Sequence, residues 1–185
     1  MIPDPPKDGP TGRSAAGEES DPEIVAVLEG RDSIELESDL LAEPVPPERK
    51  EALWTKIRAL PVASRIKLAL VGNKEARQIL ARDSVKLVQV CILKNPRVTL
   101  EEALAMAKNR SAHAELLRIV ADQREWVRNY SVRLALVQNP KTPLQIALGL
   151  INGIHERDVR LLARSKNISS VLQAQAKRLL LRREK

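Results

Sequence analysis

A chain of 185 residues with 43% apolar side chains, no phenylalanine and one cysteine describes a single domain whose core is Leu, Ile, Val and Ala. No run of about 18 apolar residues marks a membrane span, Met1 to Lys7 lacks the basic and apolar regions of a signal peptide, and Cys91 alone excludes an intramolecular disulfide. The net charge of +7 divides into −8 over residues 1–50 (five basic, thirteen acidic) and +15 over 51–185, an acidic leader on a strongly basic body.

Residues 1–47 hold eight of the twelve prolines and four of the seven glycines among acidic and small residues. Such a stretch buries too little apolar surface to offset its ordering entropy, so it reads as a disordered, acidic, Pro-rich tail. Two apolar islands interrupt it, Ile24 to Leu28 and Ile34 to Leu41. Each reads either as solvated tail or as a short motif that folds on a partner. Pro46-Pro47 suits a helix start, and Glu48 to Leu60 follows as a helix with Leu53, Trp54, Ile57 and Leu60 on one face, ended by Pro61. Trp54 is assigned to a terminal cap.

The body, residues 48–185, continues as short amphipathic helices divided by a recurring Asn: Gly72-Asn73, Lys94-Asn95, Lys108-Asn109, Gln138-Asn139 and Lys166-Asn167. Asn tolerates the left-handed conformation that ends a helix, and Pro96 and Pro140 forbid continuation. Thr99-Leu-Glu-Glu102 is a complete capping box. Thr142 before Pro143, Ser111, and Ser169 or Ser170 are expected to cap the helices that follow. A second element repeats out of phase: Ser84-Val-Lys-Leu87, Ser131-Val-Arg-Leu134 and Asp158-Val-Arg-Leu161. Superposing Asn95 on Asn139, 44 residues apart, also superposes Leu100 on Leu144 and Ala103 on Ala147. Irregular repetition of paired short helices predicts an all-α, right-handed solenoid, with Ala103, Ala105 and Ala107 allowing close approach.

Glu125-Trp-Val-Arg128 and the run Ser131-Val-Arg-Leu-Ala-Leu-Val-Gln-Asn-Pro-Lys-Thr-Pro-Leu144 resemble the leucine-rich repeat variant family, a relative in shape of HEAT repeats. Val85-Lys86 to Leu104 matches with Lys in place of Arg, and Val159-Arg160 to Asn167 matches without the Pro. The resemblance covers residues 84–183. It implies a helical solenoid reused as an interaction surface, in a bacterial cell. An iron–sulfur cluster found in one type within the family needs a cysteine cluster that this chain, with Cys91 alone, lacks.

Cys91 lies in the apolar run Val88 to Leu93 and reads as a buried small hydrophobe. His113 and His155 have no ligand spacing with each other or with Cys91, so no metal or other cofactor is expected. No Gly-rich phosphate loop, nucleophile elbow or His-Glu-x-x-His occurs, and the chain reads as a non-enzyme. Asp122, Trp126 and Arg128 supply the residue types of HEAT-like DNA glycosylases, a remote third reading in which Trp126 otherwise anchors a helix junction.

The basic residues carry the functional expectation. Lys86, Arg133 and Arg160 occupy equivalent repeat positions, which stacking turns into a ladder. Lys94, Arg97, Lys108, Arg110, Lys141 and Lys166 flank the Asn turns and gather along one edge, and Arg128 joins them. Such rows bind an acidic protein segment or phosphates, unless the ladder is spent on backbone carbonyls. The sequence is therefore read as a cytoplasmic adaptor or scaffold whose partner is an acidic protein segment, screened by its own acidic tail. The alternative is a nucleic-acid-binding repeat protein, against which stands the scarcity of stacking aromatics: Trp54, Trp126 and Tyr130 in the body. No membrane partner is expected.

Overall fold

The computed structural model describes residues 21–41 and 50–183. Among them every regular element is helical. The α-helices are α1 Pro22–Leu28, α2 Lys50–Ala59, α3 Val62–Val71, α4 Lys74–Leu80, α5 Lys86–Ile92, α6 Leu100–Lys108, α7 Ala114–Asp122, α8 Arg124–Arg128, α9 Tyr130–Gln138, α10 Leu144–Leu150, α11 Glu156–Arg164 and α12 Ser170–Arg183; 3₁₀ turns lie at Ser38–Leu40 and Ile151–Gly153. Of the tail expected over 1–47, residues 1–20 and 42–47 lie outside the described residues, as does the helix start at Pro46-Pro47-Glu48.

Most of these helices run seven to ten residues, too short to persist alone, so packing must hold them. Several lean on the element two places along the chain: α1 on α3, α3 on α5, α5 on α7, α2 on α4, and α10 on α12. α6 packs on α9, and α11 on α12. α5 runs through the middle, with Val88, Gln89, Val90, Cys91 and Ile92 all buried. Around it one apolar cluster reaches from Ile24 of α1 to Leu136 of α9, and a second lies beneath α10 to α12 around Ile151, Val159, Leu162 and Leu172. Cys91 is fully buried there, and burial pushes its thiol up to about 11, so it packs as an inert hydrophobe.

Residues 21–41 correct the reading of the leader as uniformly unfolded. Asp21 caps α1, its carboxylate accepting from the Glu23 N–H at 3.0 Å, with Pro22 at the first helical position. Ile24, Val27 and Leu40 enter the same core as α3 and α5, with Ile34 and Leu36 packed against it. The Leu40 carbonyl accepts from the Asn73 N–H at 3.0 Å. Asp32 pairs with Lys67 of α3 and Glu37 with Lys56 of α2. The apolar islands thus find their partner within the chain, and composition averaged over the leader hid them.

The Asn turns also depart from expectation. No non-glycine residue among those described has a positive φ. Asn73, Asn109 and Asn139 are extended, at φ −71°, −70° and −81°, and act through their side chains. Asn73 Oδ1 caps α4 by accepting from the Ala76 N–H at 2.8 Å, and Asn129 caps α9 the same way. Thr99 and Glu102 form the capping box, and Ser169 Oγ accepts from the Leu172 N–H at 3.2 Å. Thr142 does not cap. The turn Asn139 to Thr142 is one residue shorter than Asn95 to Thr99, so Pro143 takes the cap position and the Thr142 hydroxyl is buried without a partner. Ser111 fails similarly, with His113 at the cap of α7. Ala103 and Ala107 are fully buried, whereas Ala105, half a turn away, is exposed. On α2, Leu53 and Ile57 face the core, but Trp54, about 100° around the helix from Leu53, is 47% exposed.

Candidate functional site

The turn that follows α3 carries a buried polar network. Arg77 of α4 is 2% exposed. Its Nε donates to Glu102 Oε1 at 2.9 Å and its Nη2 to Glu102 Oε2 at 3.1 Å, the two-pronged geometry a guanidinium offers a carboxylate. The remaining donors reach carbonyls: Nη1 to Gly72 at 2.9 Å and Nη2 to Arg97 at 3.1 Å. Burial acts to raise the Glu102 carboxyl, but Arg77 together with the Thr99 N–H and hydroxyl holds it below the ordinary carboxylate range. Asn95 completes the network, its Nδ2 donating to Ala69 O at 3.1 Å and Gly72 O at 3.3 Å. Gly72 has no room for a side chain: a Cβ would stand 2.4 Å from Leu68 O and 2.9 Å from Leu68 Cδ1. Asn139 repeats the device 44 residues on, donating to Ala107 O at 2.8 Å and Asn109 O at 2.9 Å.

The Arg77–Glu102 bridge spans from α4 to α6, and beside it opens a groove of about 840 Å³. Gln78, Ala105 and Met106 line its walls, and residues 81–84 and 108–113 contribute Arg82, Asp83, Lys108 and His113. Asp83 is neutralised by Arg65 of α3. Gln89 of α5, 4% exposed, also lines the groove; its Nε2 donates to Asp83 O at 2.6 Å, while its Oε1 is buried with no hydrogen-bond partner. A second cavity of about 260 Å³ shares Gln78 and Arg82 with the groove and is lined by Leu53, Trp54, Glu75 and Ile79. The Arg58 guanidinium lies 4.5 Å over the Trp54 ring.

The ten basic residues expected to meet a partner fall into two groups. Lys94, Arg97, Lys108, Arg110, Arg128, Lys141 and Lys166 are all exposed, and their charged groups meet no carboxylate among the described residues. The Asn139 bonds bring the turn of Lys141 against that of Lys108 and Arg110. Arg110 lines a cavity of about 310 Å³ with Ser165 and Asn167, which flank Lys166. The ladder does not form a second row. Arg133 is spent on carbonyls, its Nη1 donating to Gly153 at 2.9 Å, its Nε to Val127 and its Nη2 to Arg128, both at 3.2 Å. Arg160 pairs with Glu156 one turn back on α11, and Lys86 is half-buried at the start of α5.

Sequence reasoning missed Arg77, Gln89 and the Trp54 cavity. A usable signal existed for Arg77: it stands beside Ala76 and three residues before Leu80 on the apolar stripe of α4, where a charge must find a buried partner. Asp122 and Arg128 are exposed, and Trp126 is half-buried against the core. His155, isolated in sequence, stacks on Tyr130 with ring centroids 4.1 Å apart. Burial and the Asp158 carboxylate, which accepts its hydroxyl, raise the Tyr130 phenol above its ordinary value. No group of three or more His, Cys, Asp or Glu among the described residues is placed to hold a metal ion, and no helix among them is long and apolar enough to cross a membrane. No protein-family model matches the chain, and comparison with curated proteins and with solved structures finds no match either.

Proposed function

We propose that this chain is a non-catalytic protein–protein interaction module, an adaptor or scaffold of the HEAT-like, leucine-rich repeat variant kind, whose basic face binds an acidic partner segment. On this reading the helices form a right-handed solenoid, and the protein works in a bacterial cytoplasm. The observation that carries it is the row of exposed turn cations, Lys94, Arg97, Lys108, Arg110, Lys141 and Lys166, left over after Arg77 and Arg133 are consumed inside the fold. On this reading the rest of the acidic leader screens that face in the resting protein, whereas Asp32 and Glu37 pair elsewhere, with Lys67 of α3 and Lys56 of α2.

The same cations would attract phosphate, so salt separates the readings. Binding of a glutamate-rich peptide is expected to outlast binding of random duplex DNA as salt rises to physiological strength. Duplex DNA held tightly at that strength would replace this reading with a nucleic-acid-binding one.

A further inference from the structure

Three turns converge on the cavity of about 310 Å³ at Arg110, and their charge has one sign. Arg110, Gln138 and Asn167 bring in the stretches 108–113, 138–143 and 164–169, while Leu161, Leu162 and Ile168 give the cavity an apolar side. Those stretches carry Lys108, Arg110, Lys141, Arg164 and Lys166 and no Asp or Glu. All five cations are exposed, and none meets a carboxylate among the described residues. The bias continues along the chain, since residues 159–183 hold seven basic residues and no acidic one. The turns are also tied down: Asn139 binds the second to the first, and the Gln173 amide of α12 donates to the Ser165 carbonyl of the third.

Leu161 supplies an independent observation. Leu87 and Leu134 hold the equivalent repeat position and pack half-buried against the core, whereas Leu161 is 60% exposed at the cavity. An aliphatic side chain in water among unpaired cations is matched by an acidic segment that carries one apolar residue. A nucleic-acid strand matches the charge alone. Among the described residues none that lines the cavity is aromatic, so bases would find no stacking surface and Leu161 would stay uncovered.

We propose that this cavity seats one aliphatic side chain of an acidic partner segment against Leu161, with the neighbouring carboxylates at Arg110, Lys141 and Lys166. The proposal rests on the reading of this chain as a module for acidic partners, and it fixes where along the turn edge the specific contact lies.

The test uses two labelled peptides, one glutamate-rich with a single central leucine and one with serine in its place. Both are titrated by fluorescence anisotropy into the full chain at physiological salt. The leucine peptide is expected to bind about tenfold more tightly, the gain from covering aliphatic surface on both sides. Leu161→Ser is expected to abolish that preference while changing the serine peptide by less than about twofold, and Arg110→Glu to weaken both peptides by about tenfold. Leu181→Ser, at a comparably exposed position on α12, should alter neither. Leu161 and Arg110 are both exposed, so these variants keep the fold. Peptides of equal affinity, or a leucine preference that survives Leu161→Ser, would overturn the cavity while leaving the acidic-partner reading intact. Failure of both peptides to bind the native chain, or tighter binding of an oligothymidine than of either, would overturn both.

Discussion

Buried polar side chains set the joints between helices. Arg77 and Glu102 lie 25 residues apart, and neither is satisfied without the other. Glu102→Leu leaves a buried guanidinium unpaired and is expected to cost about 3–5 kcal/mol in chemical denaturation. Arg77→Leu added to it should recover much of that loss, because the paired deletion leaves no orphan charge. The Glu102 carboxyl is held below its ordinary 4.5 in the folded protein, so its contribution to stability is present above that value and lost as pH falls through the lower folded value. Acid titration of the melting temperature should therefore show a drop below about pH 4.5 that Glu102→Gln blunts. At the later joint, Asn139→Ala removes two bonds to carbonyls and is expected to destabilise by about 2 kcal/mol. Asn167→Ala, at an exposed position, should change the midpoint little. Thr142 supplies the reverse case: Thr142→Val replaces a buried, unpartnered hydroxyl with a methyl and should raise stability by about 1 kcal/mol.

At the level of elements, α1 and the Ser38–Leu40 turn cover the apolar side of α3. Leu40→Ala is expected to cost about 2–4 kcal/mol, which a chain with an unstructured leader would not feel. Lys67 holds the Asp32 carboxyl below its ordinary value, so the tether is complete above about pH 4 and loosens below it. Hydrogen-exchange protection factors in residues 21–41 should then fall in acid before those of α5. Helices in the body were legible from the 3.6-residue period, and Thr99-Leu-Glu-Glu102 announced its own cap, because both signals are local. What escaped was non-local. Nothing near Asn95 in sequence says that its amide reaches Ala69, 26 residues back, and nothing near Gln89 says that its Oε1 stays unpaired. The Asn recurrence was visible, but left-handed geometry was inferred where a side-chain bond to the preceding turns operates.

For the whole molecule, charge divides between structure and surface. Arg65 and Arg77 are paired with Asp83 and Glu102, which the +15 of the body already counts, and Arg133 is held on three carbonyls; what lowers the surplus offered to a partner is Asp32 and Glu37 of the leader, paired with Lys67 and Lys56. What remains is displayed at the turns, where the Asn139 bonds and the cavity at Arg110 bring successive loops together. Of the candidate site, the exposed cations were readable from sequence because they flank the Asn punctuation, whereas the groove arises from how α4 and α6 are bridged. The most direct test is anisotropy of a labelled glutamate-rich peptide at physiological salt, against the native chain and against a variant with Lys94, Arg97, Lys141 and Lys166 all changed to Glu. The native chain is expected to bind and the variant to bind at least about tenfold more weakly, with an unchanged thermal midpoint. Equal binding by the two proteins would contradict it.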